Sequence, residues 1–211
     1  LVAELANQLA RIHTIRPPEP ALNFLVIPSE SPALAAVRAY RQALDTLGDT
    51  RPELEWALRW AEVTAPPLGN LVLCHHDFRS GNLMVDDHTL SGVLDWEFAS
   101  WGDPMDDVGW VCAHCWRFGR DDRPVGGIGD RADFYRAYEQ ASGRTVNPVD
   151  VRYWEVMAHI RWAIIALQQE DRHLSGREVN LELALTGHVV PELAFEAVLM
   201  TAPASWPATG L

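Results

Sequence analysis

Lysine is absent from this chain: all 17 basic residues are arginines. Codon bias in a GC-rich genome accounts for the usage. The consequence is chemical, because no ε-ammonium is available for any step that needs one. Cysteine is scarce too, and three residues are too few and too clustered for a disulfide scaffold, so a reducing cytoplasm is the expected setting. No uninterrupted apolar run approaches the roughly 18 residues of a membrane span, so no membrane partner is expected. Positive charge is in deficit overall. A net charge of −12 with a pI near 5.0 argues against a nucleic-acid partner, whose phosphates need a basic face. It suits a cationic ligand, or nothing beyond solubility. There is neither an initiator methionine nor a signal peptide. Leu1 opens inside an amphipathic helical pattern, so the chain reads as the later part of a longer protein.

What is present suffices for a core: 48% of the 211 residues are hydrophobic and nine are tryptophan, which fits packed helices or an aromatic-lined cleft. Leu1, Leu5, Leu9 and Ile12 lie on one face of a helix that the prolines at 17, 18 and 20 end. Ser31-Pro32 opens a second helix to about Leu47, and Thr50 to Val63 reads as a third with Pro52 near its start, stopped by Pro66-Pro67. The middle changes character. Leu71 to Cys74, Leu83 to Val85 and Gly92 to Trp96 read as short strands, with Asp86-Asp87-His88 as a turn. Helix returns from Pro104 through Phe118, Gly119 to Gly129 is a glycine-rich surface loop, and three more helical stretches follow: Asp130 to Ala141, Pro148 to about His173, and Arg177 to Met200. The last of these has a break near Gly187 to Pro191. The expected fold class is α+β, mostly α-helical, with one domain over 1–200 and a loose tail over 201–211.

Charge concentrates between Leu71 and Asp107. Eight carboxylates (Asp77, Asp86, Asp87, Asp95, Glu97, Asp103, Asp106, Asp107) stand there against a single Arg79. Such crowding persists only if the groups are solvated, hydrogen-bonded or holding a cation. Solvated turns and caps cover Asp86, Asp87 and Asp106. The remainder has an order: His75-His76-Asp77 is followed five residues on by Asn82, and thirteen after that by Asp95 at the end of an apolar run. Phosphoryl transfer needs a carboxylate beside the attacking hydroxyl and oxygen ligands for Mg²⁺ on the nucleotide phosphates. A loop from Asp77 can return Asn82 to a metal, and a hairpin from Leu83 to Leu94 can bring Asp95 beside it. One amide and one carboxylate leave most of an octahedral shell open, which suits magnesium.

Three motifs in order, His75-His76-Asp77 with Asn82, Leu94-Asp95-Trp96-Glu97, and Gly102-Asp103-Pro104 with Asp107-Val108, resemble the aminoglycoside phosphotransferase (choline-kinase-like) family, relatives of the protein kinases. The branch is similar to kinase-like domains fused to acyl-CoA dehydrogenases, on Asp77-Phe78-Arg79 and Tyr153-Trp154-Glu155. The resemblance implies a protein-kinase-like C-terminal lobe whose β-hairpin carries the catalytic and metal loops. It implies Asp77 as base or hydroxyl-orienting residue, Asn82 and Asp95 as metal ligands, and His75 as loop support. Asp103 and Asp107 would be structural, as caps or ties at the helix start. Arg79 and Glu97 are candidate contacts to substrate or phosphate, with a local salt bridge as the alternative for Arg79. ATP and Mg²⁺ are the implied cofactors, and a small hydroxylated molecule the implied substrate. Two departures stand out. His76 occupies a position that is usually glycine, which restricts φ > 0. The phosphate-covering loop and lysine of the family's first lobe are missing, so an N-terminal nucleotide lobe of the same protein is an expected partner. Gly126-Gly127-Ile128-Gly129 lies on the wrong side of the catalytic loop to replace it.

Rival readings are a non-catalytic kinase-like binding module and a metal-dependent hydrolase using the same acidic cluster. Zinc at Cys112-Ala113-His114-Cys115 lacks a second cysteine pair, and buried cysteines on one helix face explain the motif.

Overall fold

The computed structural model describes residues 1–48, 50–87 and 89–202. They form two compact units. One comprises Leu1–Ala33 and Pro66–Glu155, the other Leu34–Ala65 and Val156–Leu211.

The first unit opens with α1 (Val2–Ile12), whose Leu5, Ala6, Leu9 and Ala10 are buried against α5 (Arg131–Ser142). Two antiparallel ladders follow. β1 (Val72–Cys74) pairs with β4 (Ser100–Gly102) in the register Val72↔Gly102 and Cys74↔Ser100. β2 (Leu83–Asp86) pairs with β3 (Thr89–Val93), with a bulge between Met84 and Val85. α4 (Pro104–Cys112) starts where expected: Asp103 accepts from the Met105 N–H at 2.8 Å and Pro104 fills the first helical position. Gly109 on α4 is required by packing, because a Cβ there would stand 2.5 Å from the Trp154 Cβ and 2.9 Å from its carbonyl carbon. That contact sets α4 against the first turns of α6 (Pro148–Leu174).

The second unit holds most of α2 (Pro32–Leu47) and of α6, with α3 (Pro52–Thr64), α7 (Leu181–Thr186) and α8 (Val190–Thr201). Its core is Leu54, Ala57, Leu58 and Ala61 of α3, Met157, Ile160 and Ala163 of α6, and Leu193, Ala194 and Ala197 of α8. The Trp56 indole donates to the Thr201 hydroxyl at 3.1 Å, tying α3 to α8.

Four expectations change. The third strand is Thr89–Val93, not Gly92 to Trp96: Asp95 turns into positive φ (67°) and the Trp96 indole folds back onto the Val93 carbonyl at 2.9 Å. β4 was hidden inside Ala99-Ser100-Trp101-Gly102, too short to stand out. α4 stops at Cys112 rather than Phe118, and Cys115 sits in a separate 3-10 turn (His114–Trp116), so Cys112 and Cys115 share no helix face. Gly126 is buried, not on a surface loop: its N–H reaches the Val111 carbonyl at 2.8 Å, and a Cβ on it would meet that of Ser80 at 3.8 Å.

Leu181–Thr201 is long and apolar enough to cross a membrane by length and composition, with a hydropathy of 1.4. It is broken by the 3-10 turn Gly187–Val189, near the expected break, and carries three glutamates. His88 of the expected turn, and all but the first two residues of the expected tail, lie outside the described residues.

Candidate active site

β1 ends at Cys74 and releases the chain into a loop that the sequence marks as catalytic. Phe78, fully buried, anchors that loop between Asp77 and Arg79. The Asp77 carboxylate is 7% exposed and takes hydrogen bonds from three side chains. Arg79 Nε donates at 3.0 and 3.3 Å, Asn82 Nδ2 at 2.6 Å, and Trp110 Nε1 at 2.9 Å. Asn82 Nδ2 also donates to the Asp77 carbonyl at 3.0 Å, and this pairing orients the amide so that its oxygen faces away from Asp77. The Leu94 N–H donates to the Asn82 carbonyl at 2.8 Å, which brings Asp95, the next residue, beside Asn82. Asp77, Asn82 and Asp95 are thus gathered as the spacing predicted.

His75 supports the loop. Its Nδ1 accepts from the Asp77 N–H at 3.1 Å and its Nε2 reaches the Leu94 carbonyl at 2.9 Å. A donor on one nitrogen and an acceptor on the other select the Nε2-protonated neutral ring. His75 therefore links the catalytic loop to the segment carrying Asp95, and Trp96 packs on its ring at 4.5 Å between centroids.

Behind the loop lies Asp107, fully buried in the first turns of α4. Its two oxygens accept from consecutive backbone N–H groups, His75 at 2.8 Å and His76 at 2.7 Å. Asp107 is thus a tie to the loop, and Asp103 alone is the cap. Burial by itself would raise the Asp107 pKa, but the His13 hydrogen bond (3.1 Å), the nearby His13 and His76 and the His75 N–H bring it down to about 2. His13 in turn bonds the Tyr138 hydroxyl at 2.7 Å. The sequence reading missed His13; a histidine one residue past an amphipathic helix gives no signal of what it will face 94 residues later. Burial pushes the Asp103 carboxyl upward, against the Met105 N–H that lowers it.

His76 adopts φ 61° despite its side chain. The anticipated restriction is overcome locally: its N–H is held by Asp107 and its Nδ1 lies 2.9 Å from Asp106 Oδ2. Arg79 makes the salt bridge foreseen for it, to Asp77, and lies 4.9 Å over the Trp116 ring. Trp110, which the sequence did not single out from the other tryptophans, is the second missed residue. Glu97 is exposed in the turn closed by Ala99 N–H to the Trp96 carbonyl (3.0 Å), and among the described residues its carboxylate makes no hydrogen bond or ion pair. Cys112 is buried, and burial beside Glu155 pushes its thiol up to about 12. Among the described residues the one group of three or more His, Cys, Asp or Glu side chains spaced to share a metal ion is His13, Cys74 and Asp107. His13 and Asp107 are already hydrogen-bonded to each other there, so the Cys112/Cys115 zinc reading gains nothing.

A sequence-family model described as "Phosphotransferase enzyme family" matches residues 1–144. The chain belongs to the phosphotransferase enzyme family. Mouse acyl-CoA dehydrogenase family member 10 is 25% identical over 155 residues, 68% of this chain and 14% of that protein. A solved structure from Ralstonia eutropha, assigned to the aminoglycoside phosphotransferases, superposes with a TM-score of 0.77 at 21% identity, covering 95% of this chain and 64% of that one. Spectinomycin phosphotransferase, solved with ADP and spectinomycin, gives 0.58 at 15% identity over 93% of this chain and 64% of that one. The fold is the protein-kinase-like one of these phosphotransferases. The chain spans less than two thirds of the length of each of these relatives.

The residues fit a hard divalent cation. The Asn82 amide oxygen is turned away from Asp77, and the Asp95 carboxylate is exposed, makes no hydrogen bond or ion pair among the described residues, and sits on backbone of positive φ (67°). A strained, unpartnered acid beside an oriented amide is the oxygen donor set magnesium takes.

Proposed function

We propose that the chain is the catalytic, acceptor-side lobe of an ATP- and Mg²⁺-dependent phosphotransferase that phosphorylates a hydroxyl group of a small molecule. The observation that carries the reading is that Asn82 bonds Asp77 through its side-chain amide and the Asp95 segment through its backbone carbonyl. A single residue thereby joins a candidate base to a candidate metal site. Asn82 and Asp95 would hold the cation, which supplies charge neutralisation at the nucleotide phosphates. Asp77 accepts and orients the substrate hydroxyl. His75 keeps Asp77 in register with the Leu94 carbonyl. Arg79, 28% exposed on a flexible stem, exchanges Asp77 for a phosphoryl oxygen. The reading assigns the lysine-bearing nucleotide lobe to a part of the protein outside this chain, and three cysteines outside any disulfide suit a reducing, cytoplasmic setting. The substrate class stays at a hydroxylated small molecule.

In the full-length protein, Asp77→Ala should abolish acceptor-dependent ATP consumption while circular dichroism stays native; retained turnover sinks the assignment. The binding-module reading draws on one observation, the three donors that already fill the Asp77 carboxylate. Titration calorimetry separates the two, since a module without nucleotide chemistry gives no Mg·ATP heat in the full-length protein.

A further inference from the structure

Trp110 is 2% exposed, and it presents its indole N–H to a carboxylate, Asp77 Oδ1, at 2.9 Å. We infer that Trp110 is a positioning residue for Asp77: its Nε1–H fixes the carboxylate rotamer when Arg79 leaves to meet the transferring phosphoryl group. The inference rests on the phosphotransfer reading of Asp77.

The argument is one of replaceability. Asp77 Oδ1 has two donors, Arg79 Nε at 3.0 Å and Trp110 Nε1 at 2.9 Å. Arg79 is the more exposed and the longer, and its guanidinium rests over Trp116 at 4.9 Å. If it turns to an incoming anion, Oδ1 keeps Trp110 alone. Trp110 cannot follow. Its ring lies 5.3 Å from Trp116, and its helix is set against α6 at Gly109. Three residues earlier on α4, Asp107 grips the loop backbone at His75 and His76, so α4 holds the loop backbone and the catalytic carboxylate together. The donor is also neutral. An indole N–H orients a carboxylate without cancelling its charge, which a hydroxyl-orienting aspartate must keep. A buried indole N–H needs a partner, and here the partner is the Asp77 carboxylate.

Two measurements test this. In the ¹H–¹⁵N spectrum of the chain, with the Trp110 indole signal assigned by sequential connectivity, Asp77→Asn should move that signal upfield more than any of the other eight indoles. An unmoved Trp110 signal overturns the inference. In the full-length protein, with Mg·ATP hydrolysis by water as the probe, Trp110→Phe keeps the ring and removes the donor. It should lower kcat about tenfold to a hundredfold, the loss of one hydrogen bond to a charged group, with the KM for Mg·ATP unchanged. A packing role alone would depress the melting temperature and leave kcat as it was, and wild-type kcat in Trp110→Phe also overturns the inference. Asp77→Asn retains every indole, so the first measurement stands even if the ring substitution loosens α4. Wild-type protein that hydrolyses no Mg·ATP, with the indole signal still displaced, overturns the phosphotransfer reading and leaves the Asp77–Trp110 coupling established.

Discussion

Two buried carboxylates of the first unit respond to pH in opposite senses. Asp107 is held down to about 2 from 3.8, so its stabilisation is complete above pH 4 and lost as pH falls toward 2. That lowering corresponds to about 2 to 3 kcal/mol. Urea unfolding between pH 5 and 2 should show that loss, and Asp107→Asn should flatten it. Glu155, paired with Arg131, is pushed up to about 7 from 4.5, burial outweighing the arginines. Its raised pKa favours the folded state most below pH 4.5, and this contribution disappears as pH rises through 7. Glu155→Gln should therefore remove a decline in stability between pH 4.5 and 7 that the wild type displays. Neither value was legible in the sequence. Asp107 and Glu155 stand in the chain as ordinary acids, and their pKa values depend on His13 and Arg131, which folding brings from distant positions.

Among the elements, α4 does most to organise the site. Its start could be read directly, because an aspartate followed by proline is a local capping signal that needs no tertiary partner. Its end and its neighbours could not. The helix closes six residues early, where Cys112 presents its carbonyl to Arg117 at 3.3 Å and Arg131 at 3.4 Å. The close approach at Gly109 yields an element-scale prediction. Gly109→Ala forces a Cβ within 2.5 Å of Trp154 and should cost about 1–3 kcal/mol, read as a lower urea midpoint at unchanged slope. The hairpin shows the same division. The alternating residues before it announced strands, but the turn of Asp95 into positive φ ended β3 early, and that turn is what frees the Asp95 carboxylate.

At the scale of the molecule, the proposed chemistry is one-sided. The 211-residue chain offers a candidate acceptor-orienting aspartate and a candidate metal pair, and its 17 Lys/Arg residues are all arginines. The isolated chain is expected to give no acceptor-dependent ATP consumption in a coupled assay, and the full-length protein to give it; turnover by the isolated chain would show that no lysine-bearing lobe is needed. The family and the mostly helical class were determined by sequence alone, and the candidacy of Asp77, Asn82 and Asp95 was also legible there, because it depends on spacing along one short loop and one hairpin. The positive φ of His76, the buried His13–Asp107 tie and the Trp110 donor were decided only in three dimensions. Each depends on a partner at least 30 residues away, and no local pattern encodes which distant group will fill a buried hydrogen-bonding valence.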